Sequence, residues 1–224
     1  MGSAETMNND IKQWYYGNPR EDMLPFVPRG TRRMLDVGCG WGRFSGLAKE
    51  RLGIAETWGI ELNTEAAALA AERIDHVLNK DVFAALAELP KEHFDCVVFN
   101  DVLEHLVDPY KVLAAVQPHL APRGELVASI PNVRYAGVVF DLAVRGNWTY
   151  ADYGILDRTH LRFFTRASIT AMLEEAGYEV ISIEGITPPP SRLGRMVSSL
   201  LLPRWRDMRY MQFACRARPR AAAK

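Results

Sequence analysis

The sequence is poor in cysteine: Cys39, Cys96 and Cys215 are the three among 224 residues. An odd count, with Cys96 and Cys215 inside strand-like runs, excludes a disulfide framework and leads us to expect a reducing, cytoplasmic setting. Long hydrophobic runs are also missing. None approaches the ~18 residues that cross a bilayer, and no signal peptide is read at the start. Internal repeats and extended low-complexity tracts are absent too, which excludes solenoid and fibrous classes. Overall charge is balanced, with 27 basic against 27 acidic residues.

What is present is an ordinary globular composition, 48% apolar and 24% charged, in a chain long enough to bury a substantial core. The balance of charge hides a strong asymmetry. From Ser191 onward nine basic residues face a single acid, Asp207, so the remainder of the chain is correspondingly acidic. Met1–Asp10 is polar and reads as a frayed start.

Apolar runs alternate with helical patterns. Residues 33–38, 57–62, 76–81, 94–100, 125–130, 178–186 and 210–216 read as strands. Phe94–Asn100 is nearly all apolar, as suits a parallel strand covered on both faces. Asn63 or Thr64 caps a helix running to about Ile74, and Pro109 opens a helix that Pro118 ends. Thr165 caps another, with Ile169, Met172, Leu173 and Ala176 on one stripe and Gly177 as its stop. Strands alternating with helices predict an α/β fold with a mostly parallel sheet.

Leu35-Asp36-Val37-Gly38-Cys39-Gly40-Trp41-Gly42 joins the first strand to the first helix. Its glycines permit a sharp bend and let a ligand approach main-chain N–H groups. Asp36, two residues ahead of the first glycine, would repel a pyrophosphate but suits a cationic ligand such as S-adenosylmethionine. Ligands in such sheets bind at the carboxyl ends of the strands. Three further features fall there: Glu61 to accept from ribose hydroxyls, Asp81 to accept from an adenine amine, and Asn100-Asp101 beside a reacting centre. An NAD-binding enzyme would share the turn and Glu61, but needs neither Asp36 nor Asp81.

LDVGCGWGRFS, GIEL, NKDV and FNDVLEHLVDP together resemble a class I S-adenosylmethionine-dependent methyltransferase over residues 33–186. The resemblance implies a Rossmann-like seven-stranded sheet, mostly parallel, whose last strand runs antiparallel. It implies that Asp36, Gly38, Gly40 and Gly42 line the methionine end, Glu61 and Leu62 hold the ribose, Asp81 and Val82 hold the adenine, and Asn100 closes the pocket. Trp14-Tyr15-Tyr16 with Arg20 resembles an aromatic lid. The expected layout is an N-terminal extension over 1–30 and a methyltransferase domain over 31–224, with a substrate lid insert at 133–164 and a basic insert at 187–209.

Methyl transfer to a hydroxyl needs a proton removed, and histidine is the usual base at neutral pH. His105 in DVLEHL and His160 in GILDRTHLRFFT are the candidates, with Asp101 beside them. GILDRTHLRFFT is similar to methyltransferases of bacterial polysaccharide and glycan biosynthesis. The leading expectation is therefore an O-methyltransferase acting on a sugar, glycan-linked or other small-molecule hydroxyl without a metal. A second reading follows from Asp101, Glu104, His105 and His160, which resemble the metal sites of small-RNA 2′-O-methyltransferases and some quinone O-methyltransferases. There Mg²⁺ or Mn²⁺ would favour the alkoxide. A third is a cofactor-binding scaffold without turnover. Leu193, Met196, Val197 and Leu200–Leu202 interleave with arginines in the basic insert, a pattern suited to an anionic membrane surface, a phosphate-bearing substrate or a homodimer contact. Nucleic acid is disfavoured, because the body is acidic and no recognition module is visible.

Overall fold

The computed structural model describes residues 16–187 and 203–220. Seven strands, β1 (Arg33–Val37), β2 (Glu56–Ile60), β3 (His76–Leu78), β4 (Phe94–Asn100), β5 (Leu120–Pro131), β6 (Tyr178–Ile186) and β7 (Gln212–Pro219), form a sheet of order β3-β2-β1-β4-β5-β7-β6. β1 runs parallel to β2 and β4, and β2 to β3, whereas β7 is antiparallel to both β5 and β6. Among the described residues they are accompanied by the helices α1 (Arg43–Leu52), α2 (Thr64–Ala70), α3 (Val82–Leu86), α4 (Pro109–Val116), α5 (Ala136–Arg145) and α6 (Arg166–Glu175). The seven-stranded, mostly parallel α/β architecture expected from the sequence is the one observed.

The chain packs as two compact units, residues 1–100 with 115–125, and residues 101–114 with 126–224. In the first, β4 is the central support: Phe94, Cys96, Val97, Val98 and Phe99 are wholly buried, as their unbroken apolar run requires. Close packing beside it depends on Gly59, where an added Cβ would come 2.7 Å from the Cys39 sulfur. Cys39, Ala70, Ile74 and Val77 cluster there. In the second, the Tyr178 hydroxyl on β6 donates to the Leu113 carbonyl of α4 at 2.8 Å, and Ile169, Met172 and Leu173 of α6 are wholly buried.

Caps decide several boundaries. Asn63 Oδ1 accepts from Ala66 N and starts α2, and Thr165 forms a reciprocal capping box with Ser168 at α6. β3 stops at Leu78 instead of reaching Asp81, because Asp81 is spent capping α3, its Oδ1 accepting from Phe83 N. β2 ends at Ile60, which leaves Glu61 and Leu62 past the strand. β5 begins at Leu120 and not Glu125, running first through the exposed Pro122 and Arg123. β7 starts at Gln212 and runs to Pro219. The 133–164 segment opens with α5, a helix the sequence reading left out, and none of its residues is buried. Trp14, Tyr15 and residues 188–202, with Arg192 and Arg195 of the basic insert, lie outside the described residues. The three cysteines are buried and form no disulfide. Among the described residues no helix is long and apolar enough to cross a membrane.

Candidate active site

The first unit holds the glycine turn and its carboxylates. Gly38, Gly40 and Gly42 all have positive φ, and Gly38 N and Cys39 N both donate to the Ile60 carbonyl, at 2.8 and 3.1 Å. Gly40 is also a contact point. A Cβ there would meet the Tyr16 carbonyl oxygen at 2.8 Å, and that same oxygen accepts from Trp41 N at 2.9 Å. Only glycine meets both demands.

Glu61 faces this turn. Its Oε2 accepts from Gly40 N at 2.9 Å and its Oε1 from Asn63 N at 2.8 Å, so the main chain fixes both oxygens. Burial raises its proton affinity, and the N–H groups of Asn63, Gly40 and Leu62 pull it back down. Each carboxylate oxygen carries two lone pairs, so these bonds leave acceptor capacity for ligand hydroxyls. Burial and the Glu61 charge raise the Tyr16 phenol, against a bond to the Asn63 side chain.

Asp36 lies inside the end of β1. It is 2% exposed, and its Oδ2 accepts from Ser45 Oγ at 2.7 Å. Burial foremost pushes its pKa up to about 7, the Ser45 bond opposing and the Glu61 charge adding. Its influence on a cation at the turn is that of a buried charge, not of an open contact. Leu62 is strongly exposed, Asp81 is exposed on its cap and Val82 is half-buried. Asn100 ends β4 with both side-chain polar atoms shielded from solvent and without a hydrogen-bond partner among the described residues. Such orphaned buried groups are costly and rare, and a bound ligand is a usual reason for one.

The next residue, Asp101, opens the second unit. It sits in the left-handed region with φ 54°, held by Ser129 Oγ and Gln212 Nε2, both donating to its Oδ1 at 2.9 Å. A 3₁₀ turn over Leu103–His105 follows. Against it runs the GILDRTHLRFFT segment, whose Leu161 N and Arg162 N donate to the Glu104 carbonyl at 2.9 and 3.1 Å. This clamp brings together Glu104, His105 and His160, whose candidate donor atoms lie within 4.8 Å of one another. The Glu104 carboxylate is 3.9 Å from His160 Nε2 and almost fully buried. The two imidazole rings meet edge to face, centroids 4.7 Å apart. Asp101, the fourth residue of the metal reading, stands outside this group of three, its carboxylate engaged with Ser129 and Gln212.

His160 Nδ1 lies 3.0 Å from the Ile155 carbonyl, and His105 Nδ1 lies 3.2 Å from the Thr159 carbonyl. A carbonyl only accepts, so each Nδ1 carries the proton and each Nε2 keeps a lone pair when the ring is neutral. Burial lowers the proton affinity of both rings and so favours that neutral form. Sequence reasoning singled out both histidines but missed what orients them: the carbonyls of Ile155 and Thr159, and the Glu104 main chain. It also missed Ser45, Gln212 and the Tyr16 carbonyl. Only Ser45, one helical turn past the glycines and beside Asp36 in the same motif, carried a usable signal.

A parallel sheet with a glycine turn after β1, an acid past β2 and an antiparallel β7 defines the class I S-adenosylmethionine-dependent methyltransferases. A family model described as a methyltransferase domain matches residues 14–183, and the chain belongs to that family. A protein of Psychrobacter arcticus named ubiquinone biosynthesis O-methyltransferase is 36% identical over 171 residues, 69% of this chain and 62% of the relative. The chain thus spans less than two thirds of that relative's length. One of the same name from Thiobacillus denitrificans is 31% identical over 181 residues, covering 73% of this chain and 72% of the relative. In fold, the chain is similar to a SAM-dependent methyltransferase of Archaeoglobus fulgidus, with TM-score 0.66, 20% identity, and coverage of 92% of this chain and 97% of that one.

Proposed function

We propose that this protein is an S-adenosylmethionine-dependent O-methyltransferase whose acceptor is a hydroxyl on an aromatic ring of the quinone-precursor kind. We further propose that Glu104, His105 and His160 hold a divalent cation at the acceptor oxygen. One observation carries this: a buried carboxylate and two imidazoles converge within 4.8 Å, each imidazole giving its Nδ1 proton to a main-chain carbonyl. That second-sphere bond is typical of metal-binding histidine. Two nitrogens and one oxygen suit Mn²⁺ better than Mg²⁺, which prefers oxygen alone. The relatives' name supports a ring hydroxyl over a sugar. The glycan reading rests on the likeness of GILDRTHLRFFT alone.

The cofactor, when bound, supplies a methyl group already activated by a positively charged sulfur. Glu61, held by Gly40 and Asn63, offers acceptor lone pairs to ribose hydroxyls, and the buried amide of Asn100 at the end of β4 has a donor and an acceptor to give. A hydroxyl that took this methyl would have to give up its proton. A cation held by Glu104, His105 and His160 would lower that hydroxyl's pKa. The chain's own part is to fix the three donors, through the clamp on the Glu104 carbonyl and the two imidazole–carbonyl bonds.

A metal-free variant of the reading has one point in its favour: a neutral, buried His160 with a lone pair on Nε2 is itself a competent base. Chelation separates the two. With a catechol-type acceptor and labelled cofactor, EDTA should abolish turnover and Mn²⁺ restore it. Full activity in EDTA would leave His160 as a general base and remove the cation.

A further inference from the structure

Thr159 does more for His105 than supply a carbonyl. The Thr159 hydroxyl oxygen also lies 3.2 Å from His105 Nδ1, and it lies 2.7 Å from Asp157 Oδ1. The same Oδ1 accepts from Thr159 N at 2.7 Å, and Asp157 is 4% exposed. An ionised carboxylate accepts and cannot donate. The threonine's single hydroxyl proton is therefore given to Asp157, and its oxygen can only accept from the imidazole. His105 Nδ1 thus faces two acceptors from one residue, one of them made an acceptor by a buried acid.

We propose that Asp157 and Thr159 are positioning residues that lock His105 in its Nδ1–H tautomer, leaving the lone pair on Nε2. What that lone pair serves rests on the proposed function; the lock itself does not. His160 has a single carbonyl, that of Ile155, in the same role. The polar cluster of Asp157, Arg158, Thr159, His160 and Arg162 in an otherwise apolar segment thereby divides into parts. Asp157 and Thr159 set a proton, Arg162 ties the segment to the Val107 carbonyl at 2.6 Å, and His160 is itself set.

The test is long-range ¹H–¹⁵N spectroscopy of the full chain labelled at histidine, at neutral pH without added metal, with His105→Gln to assign the resonances. The wild type should show a pyrrole-type Nδ1 and a pyridine-type Nε2 at His105. Asp157→Asn frees the Thr159 hydroxyl to donate, and should move His105 toward the other tautomer. Thr159→Ser keeps the hydroxyl and should retain the wild-type pattern. Thr159→Ala removes the hydroxyl without touching the buried acid, and should give a partial shift if Asp157→Asn does not fold. Calorimetric titration with Mn²⁺ alone should show at least about 10-fold weaker uptake in Asp157→Asn, recovered in Thr159→Ser. A wild-type His105 protonated at Nε2, or an unchanged tautomer in folded Asp157→Asn and Thr159→Ala, overturns the lock. An intact lock in a wild type that takes up no Mn²⁺ upholds it and removes the cation from the proposed function.

Discussion

The glycine turn of the first unit and the histidine pair of the second are held in opposite ways. In the first, main-chain N–H groups of Gly40 and Asn63 fix Glu61, and a hydroxyl fixes Asp36, so the acids are held as acceptors. In the second, main-chain carbonyls of Ile155 and Thr159 fix His160 and His105 through Nδ1, so the imidazoles are held as donors. Donors from the backbone make a rigid grip for hydroxyls and cations. Acceptors from the backbone make a rigid source of lone pairs.

That contrast breaks most sharply at His160. His160→Ala should lower kcat by roughly 10²–10⁴-fold, whether the ring binds a cation or takes a proton, while calorimetric affinity for the cofactor stays near the wild-type value. A parallel loss of cofactor affinity would erase the division of labour. The reciprocal change, Glu61→Ala, should weaken cofactor binding roughly 10–100-fold by the same measurement, with kcat at saturating cofactor less affected, since hydrogen bonds to a charged group are worth about 1.5–3 kcal/mol.

A subtler contrast lies in pH. Folding lifts the Asp36 carboxyl to about 7, well above its ordinary range. A raised acid contributes most to stability below its unfolded pKa and loses that contribution as pH climbs through the folded one. Asp36→Asn should therefore gain on the wild type by up to about 1.4 kcal/mol per pH unit between pH 5 and 7, and gain nothing more well above 7. Thermal unfolding across pH checks this; a constant gap would mean that the buried acid is ionised throughout. Smallest is Tyr178→Phe in the second unit, which leaves the Leu113 carbonyl without its donor. It should cost about 1 kcal/mol in urea unfolding and leave both chemistries alone.

Much of this was legible in the chain. β4 and β6 fall where their apolar runs end, and Thr165 and Gly177 bound their helix because caps are local events that a sequence states directly. The glycine turn was legible because a strand that bends at once into a helix needs residues that take positive φ, as Gly38, Gly40 and Gly42 do. What was not legible is bonded over distance. Thr159 meets His105 across 54 residues and Gln212 meets Asp101 across 111, with no local pattern to announce either. Position along the strand placed Asp36, but it does not tell which neighbour takes the carboxylate. α5 escaped because an apolar helix without buried residues gives no inward stripe to recognise.

Asp101 limits how the acceptor side of this protein can diverge. Its corner demands a residue that tolerates a left-handed backbone and also presents an oxygen to Ser129 and Gln212. Glycine satisfies the first demand alone, and glutamate the second at a conformational cost, which leaves asparagine as the one near substitute. Under the proposed function, variation in acceptor preference would then arise around that fixed corner, in the residues after it and in the long 133–164 excursion.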